Sequence, residues 1–66
     1  MPIIQVHLIK GRSTEAKREF AAKVTDLACD CLKTVPGNVR VIFYDMPHED
    51  FAIGGTLVCD RDKEKK

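Results

Sequence analysis

Two short runs dense in β-branched and aliphatic residues, positions 3–9 and 39–45, flank a single amphipathic stretch, and this arrangement limits the possible folds more than any other feature. In the first run Ile4, Val6 and Leu8 alternate with Ile3, Gln5, His7 and Ile9. In the second, Val39, Val41 and Phe43 alternate with Arg40, Ile42 and Tyr44. A period of two reads as strand, and apolar groups on both faces read as a strand covered on both sides. Between the runs, Ala16, Phe20, Val24, Leu27, Ala28, Cys31 and Leu32 recur at three- and four-residue steps, opposite Arg18, Glu19, Lys23, Asp26, Asp30 and Lys33. That pattern predicts a helix over 14–33 that packs on a sheet. Gly11 supplies the turn before it, Ser13 or Thr14 a capping oxygen, and Glu15 a charge suited to the helix dipole. Pro36, Gly37 and Asn38 stop it. Strand, helix and strand at these lengths make a βαβ unit with two parallel strands.

A chain of 66 residues is one domain, 1–66, close to the smallest size at which a monomer buries enough surface to stand alone. Some further staple is expected. Cys29, Cys31 and Cys59 are odd in number and no secretory leader precedes them, so they do not read as a disulfide framework. At about 100° per residue Cys29 and Cys31 fall on opposite sides of the helix and cannot pinch one metal ion. Cys31 is expected in the core and Cys29 exposed. Self-association is the remaining staple: one helix covers one sheet face, leaving Ile3, Ile9, Ile42 and Tyr44, or their counterparts on the opposite face, in need of a partner subunit. Positions 46–50 read as a polar loop, 51–58 as a short hairpin turning at Gly54 and Gly55, and 60–66 as a charged, mobile tail. A net charge of +1, scattered basic residues and the lack of a long apolar run give no nucleic-acid or membrane signal, and the cytoplasm is the expected compartment.

Phosphate-binding glycine loops, nucleophile elbows and His-Glu-x-x-His motifs are all missing. His7 reads as a structural histidine, and His48, Glu49 and Asp50, being consecutive, do not make a metal site. Arg40 is more telling, since a guanidinium among Val39, Val41 and Ile42 is either functional or an edge side chain with its head in water. Arg12 alone reads as a surface charge and Phe51 alone as core. Pro2 can simply begin a strand. Removal of Met1 would instead leave it a free secondary amine at the head of that strand.

Taken in order, Pro2, the β-branched first strand, Gly11-Arg12-Ser13, Val39-Arg40-Val41-Ile42 and Phe51-Ala52-Ile53-Gly54-Gly55 resemble the 4-oxalocrotonate (2-hydroxymuconate) tautomerases of the tautomerase superfamily, over residues 2–55. The resemblance implies an α+β fold, a β-α-β subunit with two parallel strands, one amphipathic helix and a C-terminal hairpin. It further implies a homohexamer, a trimer of dimers with sites built across subunits, that acts without a cofactor in aromatic hydrocarbon catabolism. The implied reaction is enol-to-keto isomerisation of 2-hydroxymuconate or a related 2-hydroxydienoate. In it Pro2 is the general base, Arg40 grips the carboxylate beside the 2-oxygen, Arg12 binds the distal carboxylate and Phe51 keeps water away. Desolvation and two nearby guanidinium groups would each lower the pKa of a proline amine toward neutrality. Ala52 stands where the family often has glycine, and Glu49 and Asp50 bring two carboxylates close to Phe51. Superfamily dehalogenases and decarboxylases acting on short unsaturated or keto acids share the proline and arginines and stand as alternatives. A retained Met1 would make the Pro2 nitrogen an amide and leave a non-catalytic binding module.

Overall fold

The computed structural model describes residues 1–64. Strand β1 (Ile3–Ile9) leads through the Lys10–Ser13 turn into helix α1 (Thr14–Leu32), and a 3-10 turn (Pro36–Asn38) leads into strand β2 (Arg40–Met46). A second 3-10 turn (His48–Asp50) precedes the hairpin β3 (Ala52–Ile53) and β4 (Thr56–Leu57), and helix α2 (Val58–Glu64) follows. β1 and β2 pair in parallel over their full length, from Ile3 opposite Arg40 to Ile9 opposite Met46. The predicted βαβ unit is therefore present, with its second strand displaced by one residue because Val39 closes the Pro36–Asn38 turn by donating its N–H to the Pro36 carbonyl.

Helix α1 begins where a side-chain acceptor is available: the Ser13 hydroxyl accepts from the Ala16 N–H at 3.1 Å. It ends at Lys33, whose backbone is left-handed and whose N–H returns to the Cys29 carbonyl. The face turned to the sheet is only part of the expected stripe: Ala16 and Phe20 border a cavity against the sheet and Val24 and Ala28 are covered. Lys17, Ala21, Val24, Thr25, Ala28 and Cys29 are the more covered residues, whereas Phe20, Leu27, Cys31 and Leu32 are exposed. Cys29 and Cys31 thus exchange their expected roles, the first half-buried and the second open to solvent. The cause is an apolar surface wider than one face, of which the sheet of a single chain covers only part.

Ala28 is the sole buried residue among those described, and Leu27 and Leu32 retain about 60% of their accessible surface. The sheet face away from α1 is equally open, with Ile3, Ile42 and Tyr44 exposed and the His7 and Tyr44 rings stacked at 4.7 Å. Only Ile9 of the four residues expected there is half-covered. A compact chain of this length would have a radius of gyration of about 11 Å. The observed value is 15.5 Å, with extents of 45 × 24 × 15 Å. The excess is the C-terminal arm formed by β3, β4 and α2, which packs on itself and on the His48–Asp50 turn.

The arm's hairpin turns at Gly54 and Gly55, both at positive φ, as the two-residue loop between Ile53 and Thr56 requires. Beyond it the expected mobile tail is replaced, as far as residue 64, by the turns of α2, and residues 65 and 66 lie outside the described residues. The charged stretch 60–66 carries no apolar period of its own. Its helix continues from Val58 and Cys59, and the Val58 N–H donates to the Phe51 carbonyl at 2.8 Å.

Candidate active site

The parallel register decides which candidate residues lie together. Ile3 is opposite Arg40, and the Arg40 N–H donates to the Pro2 carbonyl at 3.0 Å, so Pro2 and Arg40 sit side by side at the head of the sheet. Pro2 is half-covered, and Met1 before it is 71% exposed. The Arg40 guanidinium donates through one Nη to the Gly37 carbonyl at 2.6 Å, which anchors one edge of the group against its own turn. The remaining N–H donors can meet a carboxylate.

Arg12 and Phe51 lie at the other end. Arg12 is in the turn that follows β1, and Phe51 follows the 3-10 turn after β2. At about 3.3 Å per residue, the strand between Pro2 and the Arg12 turn spans roughly 20–25 Å. No conjugated acid of six carbons bridges that distance. A single chain therefore brings Pro2 to Arg40 but keeps both away from Arg12 and Phe51, and the four meet only if a second copy supplies two of them.

At the Arg12 end a cavity of about 230 Å³ opens between α1 and the sheet, lined by Val6, Leu8, Arg12, Ala16, Lys17, Phe20 and Phe43. Its floor is apolar, with Phe20 set edge-on to Phe43 at 6.1 Å. Its rim carries two cations in different states. Lys17 Nζ contacts Asp45 Oδ2 at 2.5 Å, whereas Arg12 has no hydrogen-bond or ion-pair partner among the described residues. Asp45 occupies the end of the helix-facing row of β2, after Val41 and Phe43, and is register partner to Leu8. Neither Lys17 nor Asp45 was identifiable from sequence: they are 28 positions apart, and each reads as surface charge in its own element. Among the described residues no group of three or more His, Cys, Asp or Glu side chains gathers to hold a metal ion. No described helix is long and apolar enough to cross a membrane.

Known proteins share both the sequence and the fold. The family described as Tautomerase enzyme matches residues 2–61. A 2-hydroxymuconate tautomerase of Stutzerimonas stutzeri is 40% identical over 55 residues, covering 83% of this chain and 87% of its own. The crystal structure of TomN, a 4-oxalocrotonate tautomerase homologue in the tomaymycin biosynthetic pathway, superposes with a TM-score of 0.93 at 32% identity, covering 98% of this chain and all of its own. A heterohexameric 4-oxalocrotonate tautomerase of Chloroflexus aurantiacus superposes at 0.84 with 27% identity, covering 91% of this chain and 97% of that one. Tautomerase-fold relatives thus include hexamers, which accords with a chain that buries one residue alone among those described. By sequence and by fold this chain belongs to the tautomerase family, and it is an isomerase.

Proposed function

We propose that the chain is a cofactor-independent keto–enol tautomerase of 2-hydroxymuconate or a closely related 2-hydroxydienoate, assembled as a homohexamer, with the amine of Pro2 as general base once Met1 has been removed. The observation that carries this reading is the pairing of Ile3 with Arg40, which sets Pro2 and Arg40 side by side along the backbone at one end of the sheet. The 40% identity to a named 2-hydroxymuconate tautomerase supports the choice of substrate.

The reaction moves one proton and shifts two double bonds. The Pro2 nitrogen takes the proton of the 2-hydroxyl, the oxygen becomes a ketone, and the same nitrogen returns the proton to carbon five. Charge grows on the 2-oxygen along the way, and a guanidinium beside it stabilises that charge while holding the adjacent carboxylate. This is the role of Arg40. Arg12 of another copy binds the distal carboxylate and Phe51 closes the site against water. Conjugation between the ends of the substrate carries the electrons, so the protein need only bind, orient and exchange a proton.

The test is ultraviolet measurement of ketonisation by the processed protein, by Pro2→Ala and by Arg40→Ala, together with an intact-mass spectrum. A mass lacking Met1 and strong loss of rate in both variants are expected. Equal rates in all three proteins, or an active protein that retains Met1, would overturn the reading.

A further inference from the structure

We infer that Lys17 is a positioning residue: by occupying the Asp45 carboxylate it keeps the Arg12 guanidinium available for the substrate's distal carboxylate. The inference rests on the proposed role of Arg12 and adds two residues to it.

Three observations lead there. First, Lys17 to Asp45 is the one ion pair among the described side chains that joins separate elements, since Arg18 to Glu15 and Lys23 to Glu19 are both within α1. It ties the first turn of α1 to the end of β2, the two segments from which the Arg12 turn and the turn before Phe51 depart. Second, Asp45 is the only ionisable group on the helix-facing row of the sheet, which is otherwise Ile4, Val6, Leu8, Val41 and Phe43. Its carboxylate, 36% exposed at the edge of that surface, is the acceptor that Lys17 reaches across from the helix. Third, Arg12 and Lys17 border the same cavity, and so does Leu8, the register partner of Asp45. Both cations thus lie at the end of the sheet that carries Asp45, and Lys17 is the one that contacts it.

A guanidinium would be a strong competitor, because its planar fork meets a carboxylate with two parallel hydrogen bonds where an ammonium offers a point contact. Lys17 prevails by position: it emerges from the helix directly over Asp45 while Arg12 lies in the turn before the helix. Were the lysine absent, Asp45 would draw Arg12 inward, neutralise it, and leave the distal end of the site without its cation. Glu49 and Asp50, in the turn ahead of Phe51, place two further carboxylates at this same end of the sheet.

The experiment compares wild type, Lys17→Met, Asp45→Asn and the double variant K17M/D45N by two readouts. The first is the Arg12 Nε–Hε resonance in ¹⁵N-resolved spectra, which needs no turnover. It should move in Lys17→Met and return to the wild-type position in K17M/D45N. The second is ketonisation of 2-hydroxymuconate. Lys17→Met should raise KM about tenfold, the loss of one charge-assisted contact, with kcat little changed, and K17M/D45N should recover the wild-type KM. A purely structural ion pair would also favour the double variant over Lys17→Met through stability, but would leave the Arg12 resonance unmoved in both. An Arg12 resonance unmoved by Lys17→Met, or not restored in the double variant, would overturn the inference. A resonance that moves and returns in a protein without ketonisation activity would leave the inference standing and overturn the assigned substrate.

Discussion

The two ends of the parallel sheet are built by different means. At the head, Pro2 and Arg40 are neighbours because of backbone: they are tied by a ladder hydrogen bond and by a register that seven paired positions enforce. At the tail, Arg12, Phe51, Lys17 and Asp45 come from a turn, a loop, a helix and a strand end, and a side-chain ion pair joins the last two. A one-residue slip of register would turn every side chain of a strand to the opposite face, so the head is strongly specified. The tail can be retuned residue by residue. In the proposed reaction this separates chemistry from selection: proton transfer and charge stabilisation at the head, recognition of the distal group at the tail.

The contrast breaks most readily at the head. Pro2→Ala should lower kcat by about 10² to 10⁴, the usual contribution of a positioned general base, and stopped-flow ultraviolet absorbance would show it. A loss of only a few-fold would mean that the amine is not the base. Arg40→Ala should follow, with kcat down by about 10² to 10³, as for removal of one oxyanion donor. It should also shift the pH–rate profile. A nearby cation disfavours the ammonium form of Pro2, so removing it raises the amine's pKa. Since only the free amine acts as base, the rising limb should move to higher pH. A midpoint that stays fixed or moves down would separate Arg40 from Pro2.

At the tail the effects should be smaller and of another kind. Arg12→Ala should raise KM for 2-hydroxymuconate about tenfold, with kcat nearly unchanged, as for loss of a contact made equally in ground and transition states. A 2-hydroxydienoate with a single carboxylate should not register the change. An equal effect on both substrates would place Arg12 in the chemistry and end the division between the two ends. Smallest is Ala28→Leu, which adds volume at the one buried position among the described residues and should cost about 1–3 kcal/mol of stability. Calorimetry would detect it, and activity at low temperature should persist.

The head and the tail were not equally legible in the sequence. Period-two runs either side of a 3.6-residue period announce β1, α1 and β2, and Pro2 and Arg40 then stand one position before each strand interior. Strand order alone also implies that Arg12, after β1, is far from Pro2, before it. The apolar stripe of α1 is wider than the face the sheet covers, because Leu27, Cys31 and Leu32 are as apolar as Val24 and Ala28, and a sequence does not say which part a chain covers itself and which it leaves for a partner. Helix α2 was missed because residues 60–64 are too charged to show a stripe. The pair of Lys17 and Asp45 had no signal at all, since contacts between distant charges follow from tertiary packing rather than from spacing.

The separation of Pro2 from Arg12 by the length of a strand makes one measurement decisive. Pro2→Ala and Arg12→Ala proteins, each impaired alone, are dissociated, mixed in equal amounts, reassembled and assayed at substrate concentrations below KM. If a site takes its amine from one copy and its distal arginine from another, random mixing in a symmetric assembly restores both to about a quarter of the sites, and the mixture should exceed the mean of its parents by that share of wild-type activity. A mixture no more active than that mean would show that each chain uses its own Pro2 and Arg12, and the account of a site divided between copies would be wrong.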